Sequence, residues 1–222
     1  ALSPDESLAV VTSAWTGEVS AVDLSTLAVL WSVKVPREPR GVTIVASGDT
    51  AYVSHLVGAG VTRIDGLRSA TPTVKEVRLP AAPLRSPDGV ELSASLGYVA
   101  LASASGDRVF FPRHALGALG VDAWFGVPTV DGLGTRDDAP RAPARRSNLV
   151  EVSFSRLGPM FPWTPGAWDV PEGSVTALAQ PRAAVLRPST QTMLVASEAN
   201  DDIVELDTAL SDPRSEERRV GQ

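Results

Sequence analysis

Ala46-Ser47-Gly48-Asp49, then Thr50-Ala51-Tyr52-Val53, then, eight residues beyond Val53, Val61-Thr62-Arg63-Ile64-Asp65: the reading of this stretch decides the fold. Small polar residues around a glycine make a tight turn, and a β-prone run directly after it marks one arm of a hairpin. The second run alternates apolar and polar side chains, the period of a strand with one buried face.

The same arrangement recurs along the chain. Ala104-Ser105-Gly106-Asp107 precedes Arg108-Val109-Phe110-Phe111. Looser copies are Ser3-Pro4-Asp5-Glu6 before Leu8-Ala9-Val10-Val11 and Pro188-Ser189-Thr190-Gln191 before Thr192-Met193-Leu194-Val195. The second run returns as Val19–Asp23, Leu149–Ser153 and Ile203–Asp207. The interval between runs is 8 residues from Val11 to Val19, from Val53 to Val61 and from Val195 to Ile203, and 38 from Phe111 to Leu149. Three copies keep one strand phase, and the fourth carries about 30 further residues. A third run follows at Ala28–Val35, Thr73–Leu79 and, less regularly, Gly166–Val170. Another precedes three of the four turns, at Gly41–Val45, Gly97–Leu101 and Ala183–Leu186. Each unit thus holds four short strands in about 42 residues, the size of a propeller blade.

Ser3-Pro4-Asp5-Glu6, Val11-Thr12-Ser13, Val19–Asp23 and Ala28-Val29-Leu30 together resemble the YVTN-family propeller repeat. Val53-Ser54-His55, Phe111-Pro112-Arg113 and Val195-Ala196-Ser197 occupy the slot of the name-giving tetrad, whose Asn is absent from all four copies. The resemblance covers residues 1–80 well and 97–112 and 148–208 less closely. It implies an all-β β-propeller of about four blades with four short antiparallel strands each. It also implies a periplasmic, extracellular or cell-surface location, and it extends to the propellers of haem d1 proteins and sugar lactonases. A repeat of this kind identifies a fold far better than a function.

The blades are expected at residues 1–35, 36–80, 97–171 with an insertion at 115–146, and 172–210. The first lacks its innermost strand and the last its outermost. The charged tail 211–222 reads as disordered or non-native. Blades with open apolar faces point to a partial ring from a larger propeller, with missing blades or domains of the same protein as partners; a compact four-bladed ring is the alternative.

Composition agrees with a turn-rich β protein: 43% of the 222 residues are hydrophobic, and Gly and Pro number 18 each. A net charge of -6 argues against a nucleic-acid surface, which needs a basic stripe. The basic cluster Arg136–Arg146 is interrupted by Pro and Ala and reads as a solvated loop. With no Cys, thiol nucleophiles, Cys-zinc sites and covalent c-type haem are excluded from these residues. No apolar run approaches the roughly 18 residues of a spanning helix.

Candidate ligand-contacting residues are Arg40, His55, Arg113, His114 and Trp124. His55 and His114 end equivalent strands, where imidazoles can bind a metal or iron. With two histidines in different blades and no paired acid, a hydrogen-bonded structural role is the ordinary reading, and no metal or cofactor is assigned. Arg40, Arg113 and His114 suit an anion-binding mouth, against the plainer role of salt bridges between blades. Trp124 in the insertion is either a contact residue or an anchor for its loop. Asp23, Asp65 and Asp207 recur at one strand position and read as turn caps. No catalytic set is visible: there is no nucleophile elbow, no zincin helix and no phosphate loop. The leading reading is a non-catalytic scaffold or binding module for a protein or small molecule. One alternative is the propeller part of a haem redox protein whose Cys-x-x-Cys-His segment lies outside this chain. Another is a lactonase-like hydrolase with a central metal.

Overall fold

A computed structural model describes residues 1–58, 60–78, 92–95, 97–103, 108–117, 147–153, 181–198, 202–208 and 217–219. All regular structure among them is β-strand. The chain divides into two compact units, one of residues 1–79, 97–111 and 151–162, the other of 80–96, 112–150 and 163–222.

In the first unit, β1 (Leu8–Ser13), β2 (Glu18–Asp23) and β3 (Val29–Lys34) form a three-stranded sheet in that order. Beside it, β4 (Pro39–Ile44), β5 (Thr50–His55), β6 (Gly60–Asp65) and β7 (Thr73–Arg78) form a four-stranded sheet, again in sequence order. All pairings are antiparallel. These are propeller blades, and the fold class expected from the repeat is the one observed. Among the described residues the first blade has three strands, and beside β1 Leu2 bridges Ala9 while Ala1 exchanges hydrogen bonds with Val10.

The 8-residue interval has a structural meaning. It sets one hairpin register, with Leu8 opposite Asp23, Thr50 opposite Asp65 and Thr192 opposite Asp207. The turns before these hairpins match as well. The Glu6 N–H donates to the Ser3 carbonyl, Gly48 to Val45 and Thr190 to Arg187. A second bond closes each unit, from Leu24 to the Ser7 carbonyl, from Gly66 to Asp49 and from Thr208 to Gln191. Gly48 takes a positive φ of 74° in its turn, and Glu6 takes 56° at the equivalent place, where a side chain is less comfortable.

The first two blades pack through one face each. Leu8, Val10, Val19, Ala21 and Trp31 from the first meet Ile44, Ala51, Val53, Ile64 and Leu67 of the second. Trp31 spans the seam: its indole N–H donates to the Leu67 carbonyl at 2.8 Å. The other face of the second blade is buried too, with Tyr52 and Val61 inaccessible and the Tyr52 ring 6.3 Å from that of Phe111. The first blade leaves its far face open, with Val11 51% and Leu30 41% exposed.

β9 (Leu101–Ala102) pairs with the start of β10 (Arg108–Gly117), Ala102 opposite Val109. The inner strand expected at Gly97–Leu101 is thus shorter and later than its sequence suggests. Residues 97–100 instead run backbone-to-backbone past the second blade. The Gly97 N–H donates to the His55 carbonyl, and a Cβ at Gly41 would lie 2.6 Å from the Val99 Cα.

β8 (Leu92–Ser95) pairs with Gly117 back to His114 of β10, both stretches lying in the second unit, and the strand order here is β11-β10-β8 with β11 at Ser147–Ser153. The last sheet holds β12 (Pro181–Arg187), β13 (Thr192–Ser197), β14 (Asp202–Asp207) and β15 (Glu217–Arg219). Met193, Val195, Val204 and Leu206 bury one face, while Val185 and Ile203 are exposed. β15 corrects the sequence reading of a tail unlike any strand and of a last blade without its outer strand. Glu217–Arg219 pair with Val204–Leu206. An edge strand is held through its backbone, so charged residues with no apolar pattern can supply it. The third-run candidate Gly166–Val170 and most of the insertion lie outside the described residues.

Candidate functional site

His55 ends β5 and is buried, 2% exposed. Alternation along the strand puts it on the face of Ala51 and Val53, so its ring enters the interior. Nδ1 lies 3.1 Å from the Arg37 carbonyl and Nε2 2.8 Å from Thr62 Oγ1. A carbonyl only accepts, so Nδ1 carries the proton, and bare Nε2 accepts from the Thr62 hydroxyl. The neutral ring is fully satisfied. Burial pushes its pKa below the usual 6.5, against the opposing pull of the backbone carbonyls and the Glu76 carboxylate. His55 is therefore a neutral strut between strand and loop at neutral pH.

Arg40 is on β4 with a partly exposed side chain, its guanidinium 2.7 Å from Glu38 Oε2. Its carbonyl accepts from Thr12 Oγ1 of the first blade at 2.8 Å. Arg113 lies on β10 in the second unit, 1% exposed, and burial lowers its pKa to about 10. A guanidinium in such a setting remains a cation at neutral pH. His114, next along β10, pairs through its backbone with Ser95; its side chain and all of Trp124 lie outside the described residues. Within the first unit, Arg40 and His55 both adjoin the 35–38 loop between β3 and β4.

The recurrent aspartates divide. Asp23 accepts from the Ser25 and Thr26 backbone N–H groups at 2.8 and 2.9 Å, as a turn cap does. The Ser25 hydroxyl and these N–H groups pull its pKa down to about 2. Asp65 instead accepts side-chain bonds from Thr50 and Arg63, with Lys75 Nζ 3.7 Å away. Asp207 is placed by its backbone pairing with Thr192.

Sequence reasoning did not single out Thr62 or the function of Trp31. Thr62 was accessible in principle, since it shares a strand face with Ile64, and a hydroxyl on an apolar face needs a polar neighbour. The hairpin register makes His55 its diagonal neighbour across β5. The turn between β1 and β2 presents Trp15, 97% exposed, and the matching turn between β5 and β6 presents Val57, 50% exposed. The first turn is firmly built: the Gly17 N–H donates to the Ser13 carbonyl and Lys34 Nζ to that of Thr16.

No protein-family model matches the chain, and no curated protein matches it. Solved structures do. A protein from Lactobacillus plantarum is 12% identical with a TM-score of 0.53, over 100% of this chain and 53% of that one. The periplasmic gluconolactonase of Pseudomonas aeruginosa is 13% identical with a TM-score of 0.50, over 100% and 52%. A dihydro-heme d1 dehydrogenase is 14% identical with a TM-score of 0.50, over 97% and 35%. At such identities the likeness is one of fold, and the fold is the β-propeller. The chain spans about half the length of the first two structures and about a third of the last.

Proposed function

We propose that the chain is a non-catalytic binding or scaffolding portion of an extracytoplasmic β-propeller of the YVTN-repeat type, which meets its ligand through the strand-connecting loops. The observation that carries this reading is Trp15. A nearly fully exposed indole on a well-bonded turn costs hydration with no gain in folding, and tryptophan is a favoured anchor where proteins meet. Val57 on the matching turn of the next blade and the partly exposed Arg40 supply further contact groups. His55, the residue best suited to catalysis by type, has both ring nitrogens engaged in holding the fold. The open faces bearing Val11 and Leu30 in one blade, and Val185 and Ile203 in another, support completion of the ring by further blades of the same protein. The repeat itself and a structural neighbour described as periplasmic support the location.

The test places a photo-crosslinking amino acid at position 15 and irradiates the protein with an extracytoplasmic fraction. A discrete adduct, lost on competition with unlabelled protein and weakened by Arg40→Ala, is the expected result. Absence of any adduct, together with turnover of a sugar lactone by the purified protein, would replace this reading with a hydrolase.

A further inference from the structure

We propose that His55 is an acid-sensitive latch, which pins the 35–38 loop and the Gly97 segment to the second blade at neutral pH and releases them on protonation. This goes beyond the binding role, since it concerns how the loop is held whatever the loop binds.

Three elements meet at this one residue. Its ring holds the loop by donating from Nδ1 to the Arg37 carbonyl, and holds β6 by accepting from Thr62. Its own carbonyl accepts from the Gly97 N–H. The adjacent Leu56 N–H takes the Glu38 carbonyl, so two successive loop carbonyls are fixed within two residues. Gly97 approaches so closely that a Cβ there would be 3.0 Å from the His55 carbonyl oxygen. Any displacement of His55 is felt by both neighbours.

Protonation disrupts the arrangement at Nε2. The imidazolium has two donors, and the Thr62 hydroxyl that now donates must turn round to accept. The new charge sits in a buried position. Among the surrounding groups, Glu38 is engaged with Arg40, and Arg63 with Asp65. The Arg37 side chain is exposed, and Lys75 is drawn to Asp65. The Gly97 segment contributes Tyr98, and β1 carries no titratable side chain. The Arg37 and Pro36 carbonyls and the Glu76 carboxylate on β7 all favour the cation, but burial outweighs them. The closed form therefore takes the proton less readily than the open form, and the sign follows. The latch holds above pH 6.5. As pH falls below that value the opening constant rises up to tenfold per unit until the closed form itself titrates.

Imidazole resonances followed by NMR, assigned with His114→Asn, give the titration of His55. Hydrogen exchange by mass spectrometry, corrected for intrinsic rates, gives the protection of residues 36–41 and 97–100. The latch predicts a His55 midpoint below 6.5, with protection of both segments falling up to tenfold per pH unit below 6.5. His55→Gln should flatten that pH dependence. A midpoint at or above 6.5, or protection that is constant while His55 titrates, overturns the proposal. So does an equal pH dependence in His55→Gln. Should that variant fail to fold, the two wild-type measurements decide alone.

Discussion

Replacing Gly41 with alanine tests the packing between the second blade and the segment that follows it. The added methyl would lie 2.6 Å from the Val99 Cα, 2.7 Å from the Ala100 nitrogen and 2.7 Å from the Tyr98 oxygen. Carbon atoms in contact sit about 3.5–4.0 Å apart, so one backbone must retreat by roughly 1 Å. All three neighbours are main-chain atoms, which have no rotamer by which to escape. Overpacking ordinarily costs about 1–3 kcal/mol, and this site belongs at the upper end, about 3 kcal/mol. Gly60→Ala is the control. Its methyl meets Glu76 Oε1 at 2.8 Å, nearly the same distance, but that atom ends a flexible side chain that can swing aside. Its expected effect is within about 0.5 kcal/mol of zero. Urea unfolding read through hydrogen exchange of the β4 and β5 amides reports on this unit specifically. The Gly41 variant should lose about 1 M in its midpoint and the Gly60 variant almost none. Equal midpoints for the two would refute the close approach of the two backbones.

Trp31→Phe should destabilise the first unit by about 2 kcal/mol in the same urea assay, because the Leu67 carbonyl, buried and bonded to the indole, loses its donor. A change below about 0.5 kcal/mol would mean that the seam is not sealed by that bond. Arg68 reaches from the second blade to Asp5 at 2.6 Å and Ser7 at 2.9 Å in the first, and to the Gly48 carbonyl at 3.0 Å. Since its side chain is 44% exposed, Arg68→Ala should cost less than about 1 kcal/mol. That difference should shrink further in 1 M salt, and a larger, salt-independent loss would show the contact to be desolvated in solution.

The repeat was legible because a hairpin register is a local quantity. Eight residues between Val11 and Val19, or between Val53 and Val61, already fix which residues face one another across the strands, and alternation fixes which face is apolar. What escaped the sequence depends on partners remote in the chain. Gly97–Leu101 has the composition of a strand, yet contacts with His55 and Gly41 hold its first residues out of the ladder. Glu217–Arg219 shows no strand pattern, because an edge strand needs little beyond its main-chain groups. The site divides in the same way. That His55 ends a strand follows from the repeat; that its ring turns inward to Arg37 and Thr62 depends on a loop folding back on it. Arg113 carries the same lesson, since its slot in the repeat suits either an anion-binding mouth or a salt bridge, while its burial is visible only in the fold.

One hairpin register repeats in three blades, and cross-strand nuclear Overhauser effects measure it directly. It predicts contacts between opposed residues at three places, Leu8 with Asp23, Thr50 with Asp65 and Thr192 with Asp207. A register displaced by one residue in any of the three would place its apolar side chains on the opposite face and contradict the repeat.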